Sequence, residues 1–283
     1  MLTFVLGVVV ALASATSYSV GVSLQSLEAR EVPSSESLRL SLLRRLIKRK
    51  RWLVGTLFVI AGWGFQAGAL ALAPLTVVQP ALAAGLFVLL LVGVRLTDEC
   101  VGRREVVAVV AIFVGMTGLA FASPKEVEAG HAPALEIGLS LAVFAAVALS
   151  PYVRRGRPRI WLVVLSAGLA YACSAFLTKF VADAISEPEL LTAAFWLGAT
   201  VCAAGLGLLS EMTALQERSA IRIFPGILVI QIVVAVVLAP LLAGETWSSN
   251  PLVLGGLAAS LAVLAAGTAM LASAGAVAAM VDS

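Results

Sequence analysis

Apolar residues run in long unbroken stretches along this chain, and polar residues gather in short connections between them. The stretches are Leu2–Leu24, Trp52–Leu72, Leu75–Val94, Val106–Ala122, Leu135–Val153, Ile160–Ile185, Leu190–Leu209, Ile221–Leu242 and Leu252–Ala274. Each is close to the roughly 20 residues that a helix needs to cross a bilayer. None alternates apolar and polar positions as a membrane-barrel strand does. Hydrocarbon offers no partner for backbone N–H and C=O groups, so the crossings must be helical. The pattern predicts an all-α fold: a polytopic membrane helical bundle of nine transmembrane helices, forming a single domain over 1–283. The tail after Ala274 is too short for a tenth crossing.

The longest polar connection, 25–51, ends in Arg44-Arg45-Leu46-Ile47-Lys48-Arg49-Lys50-Arg51, with six basic residues in eight. Such a run marks one membrane face. Leu38, Leu42, Leu43, Leu46 and Ile47 share a helical face flanked by Arg39, Arg44, Arg45 and Lys48. This predicts a short amphipathic helix on the cytoplasmic surface, against anionic lipid, with Ser34 or Ser35 capping its start. The competing reading is an unstructured orientation signal. Placing this connection inside and alternating from there puts every lysine and arginine except Lys125 and Lys179 on the same side, as the positive-inside rule requires. The N-terminus is then outside and the C-terminus cytoplasmic, in the plasma or inner membrane. No basic residue precedes the first apolar stretch, which argues for a retained helix over a cleaved signal.

Composition agrees: 61% of residues are hydrophobic and 12% charged, against roughly 45–50% and 25% in soluble domains. The net charge of +3 is spread over short loops and gives no footprint for nucleic acid. Cys100, Cys173 and Cys202 are too far apart for a disulfide framework or a zinc site, and the lone His131 lies in a loop. There is no phosphate loop, ligand cluster or nucleophile–base pair. No enzyme activity, catalytic residue, bound metal or cofactor is expected.

Two stretches 145 residues apart match. Gln66-Ala-Gly-Ala69-Leu70 runs on to Gln79-Pro80, and Glu211-Met-Thr-Ala214-Leu215 runs on to Phe224-Pro225. An acidic residue follows each proline one span later, at Glu99 and Glu245. Helices two and three thus match seven and eight. Five spans separate them, so the copies point in opposite directions. This is the inverted repeat of secondary transporters, which hold substrate between the halves. Repeat one covers about 1–153 and repeat two about 160–283.

The run Ala69-Leu70-Ala71-Leu72-Ala73-Pro74-Leu75-Thr76-Val77-Val78-Gln79-Pro80 resembles the second-to-third helix hairpin of the drug/metabolite transporter superfamily. Its closest likeness is to NIPA-type magnesium transporters and their bacterial relatives. Asp98-Glu99, Ser123-Pro124-Lys125-Glu126, Lys179, and Ala214-Leu215 with Pro225 extend the resemblance over most of the chain. It implies a helical bundle with a central cavity and alternating-access transport of a small solute or ion. The eukaryotic members carry an acidic residue near the position of Trp63, where this chain has none. Mg²⁺ favours carboxylate oxygens, so a divalent-cation carrier stands as the alternative. A non-transporting scaffold or accessory subunit is a further one. The partners expected are membrane lipid and a small solute or ion, with a homodimer left open.

Polar residues at membrane depth give the candidate cavity: Ser17, Gln66, Tyr171, Ser174, Glu211 and Gln231. At about 1.5 Å per residue, Gln231 lies roughly 15 Å into its helix and Tyr171 and Ser174 about 17–21 Å into theirs. Interhelical hydrogen bonding is the ordinary alternative for Ser, Thr and Gln. This applies equally to the polar patch Ser14, Thr16, Ser17, Tyr18 and Ser19. Lys179 is either a gate or counter-charge, or a lysine snorkelling to water. Hydropathy ends helix seven near Leu209 and leaves Glu211 among headgroups. The repeat alignment instead extends the helix toward Glu217 and buries it. The small-residue stripes Ala13-Ser17-Gly21 and Gly64-Gly68 predict close helix packing.

Overall fold

The apolar stretches fold as helices in the computed structural model, which describes residues 2–72, 78, 81–96, 101–122, 134–153, 159–186, 190–243 and 250–281. In chain order they are α1 Leu2–Arg30, α2 Leu40–Leu46, α3 Lys50–Leu72, α4 Gly85–Leu96, α5 Arg103–Ala122, α6 Ala134–Val153, α7 Ile160–Ser186, α8 Leu190–Glu217, α9 Ala220–Ala243 and α10 Pro251–Val281. Among the described residues there is no strand. Among the described residues six helices (α1, α3, α5, α7, α8 and α10) are long and apolar enough to cross a membrane. Shorter apolar stretches, Ala81–Arg95, Ala142–Val153 and Ala220–Val234, lie where the third, fifth and eighth crossings are expected. The chain is an all-helical, multi-pass membrane protein. Pro74, Pro80, Asp98, Glu99, Lys125, His131 and Glu245 lie outside the described residues, as does the side chain of Lys179.

Two helices outrun their apolar stretches. α1 continues past Leu24 to Arg30, and α8 past Leu209 to Glu217. In both, several polar residues of the extension find partners inside the bundle. Gln25 Nε2 donates to Thr56 Oγ1 at 3.0 Å. Arg49 pairs with Glu28 at 2.9 Å and also with Glu31. The hydrogen bond that Arg49 donates to Glu28, more than any other contact, raises the pKa of the guanidinium.

Packing is organised around three close pairs: α1 on α3, α7 on α8, and α5 on α10. α4 packs against α1, α9 against α7, and α4 touches α9. Lipid is as apolar as leucine, so such helices associate through close van der Waals approach and a few hydrogen bonds. Small residues permit both. A Cβ on Gly21 would stand 2.7 Å from the Gly55 carbonyl oxygen, and one on Gly115 would stand 2.8 Å from Leu264 Cγ. The predicted patch on α1 works mainly as glue. Ser14 Oγ donates to the Gly62 carbonyl and Ser19 Oγ to the Gly85 carbonyl, both at 2.7 Å. Thr16 bonds its own helix at Leu12. Gly21 meets the close-packing expectation, whereas Gly64 has no neighbouring atom within 4 Å.

The basic connection behaves differently from the expected surface helix. Ser34 and Ser35 lie in a 3-10 turn, and Arg39, with no side-chain cap bond, occupies the cap position of α2. Leu42 and Leu46 are fully buried, and α2 packs on α8. Its apolar face covers the end of the bundle, while Leu40 and Ile47 stay exposed. Leu38 sits at φ 58°, a left-handed conformation costing a leucine roughly 1–2 kcal/mol. Its N–H in return reaches Thr213 Oγ1 at 3.0 Å.

Leucine at Gly115 or Gly267, where an added Cβ already collides, should destabilise the protein by about 1–3 kcal/mol. Leucine at Gly198 or Gly255, which face open space, should leave stability unchanged. Unfolding midpoints in detergent, compared across the four variants, check this.

Candidate functional site

The site is built on about the last three turns of α8. Gly207 and Glu211 are four residues apart and share one face of the helix. Gly207 has no side chain, so the Tyr171 ring of α7 lies against it; a Cβ there would fall 2.8 Å from ring carbons. A helical side chain leans toward its own N-terminus. On α7 this directs the phenol hydroxyl toward Glu211, and it donates to Glu211 Oε2 at 2.5 Å. Glu211 is only 5% exposed. The helix therefore follows the repeat alignment, and the hydropathy limit at Leu209 is overturned. Continuous backbone pairing carries α8 through a polar segment whose side chains all point into the protein. Tyr18 of α1 is seated over Gly62 of α3.

A second polar group flanks the pair. Tyr152 Oη and Ser210 Oγ are 2.7 Å apart, Ser166 Oγ is 2.9 Å from Ser210 Oγ, and Ser166 donates to the Ala148 carbonyl. This ties α6, α7 and α8 together beside Glu211. Sequence reasoning passed over Tyr152, Ser166 and Ser210. Tyr152 stands beside Pro151 at a helix end, and lone serines in apolar runs are usually helix–helix glue. Only the side-by-side placement of three helices makes them a group.

The candidate residues do not gather in one place. Ser174 Oγ, one turn from Tyr171, donates to the Thr200 carbonyl at 3.3 Å and so braces α7 on α8. Ser17, Gln66 and Gln231 are half-buried on α1, α3 and α9. Among the described residues, none of the three is hydrogen-bonded to Glu211. Gln66 is separated from it for a simple reason. Trp52 Nε1 of α3 meets Met212 Sδ of α8 at 3.3 Å, which sets Glu211 level with Trp52. Gln66 lies fourteen residues further along α3, or about 21 Å. The two residues aligned by the repeat thus lie in opposite halves of the bundle.

A carboxyl group at this depth is the kind of residue that membrane proteins reserve for ion or proton handling. Among the described residues, no three His, Cys, Asp or Glu side chains cluster as metal ligands would. Two further acids, Glu28 and Glu105, are also buried, but each has an arginine partner: Arg49 at 2.9 Å and Arg222 at 3.5 Å. The partner of Glu211 is a neutral phenol. No protein-family model, curated protein or solved structure matches this chain.

Tyr171→Phe should cost about 1–3 kcal/mol of stability by leaving a buried carboxyl group without its donor. Adding Glu211→Leu should recover much of that loss. A double-mutant cycle of unfolding free energies checks the coupling.

Proposed function

We propose that this chain is a secondary transporter of a small solute, working by alternating access. Its nine transmembrane helices form two inverted halves, about 1–153 and 160–283, in the manner of the drug/metabolite transporter superfamily. The observation that carries this reading is that helix contacts recur in equivalent positions. Tyr18 lies on Gly62 and Tyr171 on Gly207. Gly21 abuts the Gly55 carbonyl, and Ser174 hydrogen-bonds the Thr200 carbonyl. Gly85 abuts Ala15, and Gly168 abuts Ile230. In every case the α1 residue shifts by 153 to its α7 mate, and the α3 or α4 residue by 145 to its α8 or α9 mate.

The central α5–α10 crossing has the same property. Gly115 meets Leu264 and the Ser260 carbonyl, and Gly267 meets Ile112 and the Ala108 carbonyl. Exchanging the two helices with a shift of 152 maps one set onto the other. Two unrelated halves have no reason to keep such registers. A scaffold would gain nothing from them, whereas a carrier uses two equivalent halves to open alternately on each side. In this reading Glu211 and Tyr171 form the ion- or substrate-responsive site.

In a cysteine-free background, Lys125→Cys and Arg155→Cys should be labelled by a membrane-impermeant maleimide from opposite faces of the membrane. Labelling from one face overturns the threading. Proteoliposomes should accumulate a solute found by thermal-shift screening of metabolites, drugs and divalent ions. If that uptake is driven by a pH gradient, Glu211→Gln should abolish the drive. An unchanged pH dependence removes Glu211 from the coupling.

A further inference from the structure

We propose that residues 32–38 together with α2 are the gate at the basic end of this carrier, and that the structure holds this gate latched. The inference rests on the inverted-repeat reading and adds to it which gate is shut and what shuts it.

The latch joins the strap to α8 within five residues of Glu211. Leu38 N–H donates to Thr213 Oγ1 and Ser37 Oγ to Gln216 Oε1, each at 3.0 Å. Gln216 Nε2 donates in turn to the carbonyls of Val32 and Pro33, at 3.1 and 3.3 Å. Leu42 and Leu46 fill the space beneath, and Trp52 closes on Met212 from α3. The left-handed backbone at Leu38 is held by these contacts and not by any preference of leucine. Beyond the strap, Arg49 ties it to Glu28 on α1. The strap thus spans from the first half to the helix that carries Glu211.

The two ends of the bundle differ. α1 packs on α8 and α9, and the buried run of α8 is Gly207–Leu215. The other half of α8 is largely exposed, at Leu191, Phe195 and Val201 for example. By the repeat, α1 on α8 and α9 has a mate: α7 on α3 and α4, at the far end. Among the described residues α7 makes no extended contact with α3 or α4. Gly64 of α3 faces open space, and Gly68 has only Val10, at 3.8 Å. The occupant of that small-residue face is α7 itself, in the state in which the latched end has parted. The strap has no copy in the second half, where α7 and α8 are joined by residues 187–189 alone. A lock present at one end only gives the two states unequal stability.

The test uses the full-length protein without native cysteines, in lipid vesicles. Ser26→Cys reports the basic end, because Ser26 is fully buried and its hydroxyl has no partner. Spin labels at Trp63→Cys, beside that face and exposed, and at Ala175→Cys report the far end. Thr213→Val with Gln216→Leu removes the latch. Its hydrogen bonds are worth enough that alkylation at position 26 by an impermeant maleimide should rise about tenfold. The 63–175 distance should shorten in the same variant. With Thr213→Val kept and Gln216→Leu replaced by Gln216→Cys, a disulfide formed to Ser37→Cys by an added oxidant should return both readouts to those of the latched protein. A rise in labelling with no change in distance means local fraying and overturns the gate, as does no change in either. If the double variant does not fold, Ser37→Ala, which removes one hydroxyl, is judged by the same two readouts. Solute uptake that persists while both readouts stay fixed removes the gate and leaves the carrier. Same-side labelling at positions 125 and 155 removes the carrier itself.

Discussion

The close approach of helix backbones at glycine is the interaction on which the rest of this structure depends. In lipid there is no hydrophobic gain from bringing two leucine-covered helices together. Association must come from contact distance, and contact distance is set by the smallest residue at the crossing. Gly21 with Gly55, Gly62 beneath Tyr18, Gly207 beneath Tyr171, and Gly115 opposite Gly267 fix which helices touch and at what register. Hydrogen bonds such as Ser14 to Gly62 and Ser19 to Gly85 exist because those backbones are already near.

The same geometry makes the buried acid possible. Glu211 needs a donor, and Tyr171 can supply one only because Gly207 lets its ring lie flat against α8. The polar segment Ser210–Gln216 then stays helical inside the protein because each neighbour offers a partner: Tyr152 and Ser166 to Ser210, Leu38 to Thr213, Ser37 to Gln216. Packing and polar satisfaction are coupled here. Losing a close approach would strand a polar group, and stranded polar groups are costly in this medium.

The strap shows how one connection can serve two purposes. Its basic residues fit the charge asymmetry that orients a membrane chain. Its leucines, Leu42 and Leu46, are buried against the bundle and not in lipid. An amphipathic pattern specifies that an apolar face will be covered but leaves open whether lipid or protein covers it. The hydrogen bonds to Thr213 and Gln216 decide in favour of α8, because lipid has no donor or acceptor of that geometry to offer.

The sequence by itself determined the material and the elements: helices in lipid and their positions along the chain. Those follow from local physics, since a long apolar run without alternation has one stable form in a bilayer. It pointed to Tyr171 because depth along a helix is simple arithmetic, and to Glu211 only through its alignment with Gln66. Which polar residues meet was decided only by tertiary structure. Gln66 and Glu211 align in sequence, yet they lie about 21 Å apart along the bundle. An alignment does not say which helices meet or at what height, so no one-dimensional pattern carries that distance. The end of α8 was hidden for the same reason: hydropathy counts a side chain's aversion to lipid, and only neighbouring helices can supply the partners that cancel it.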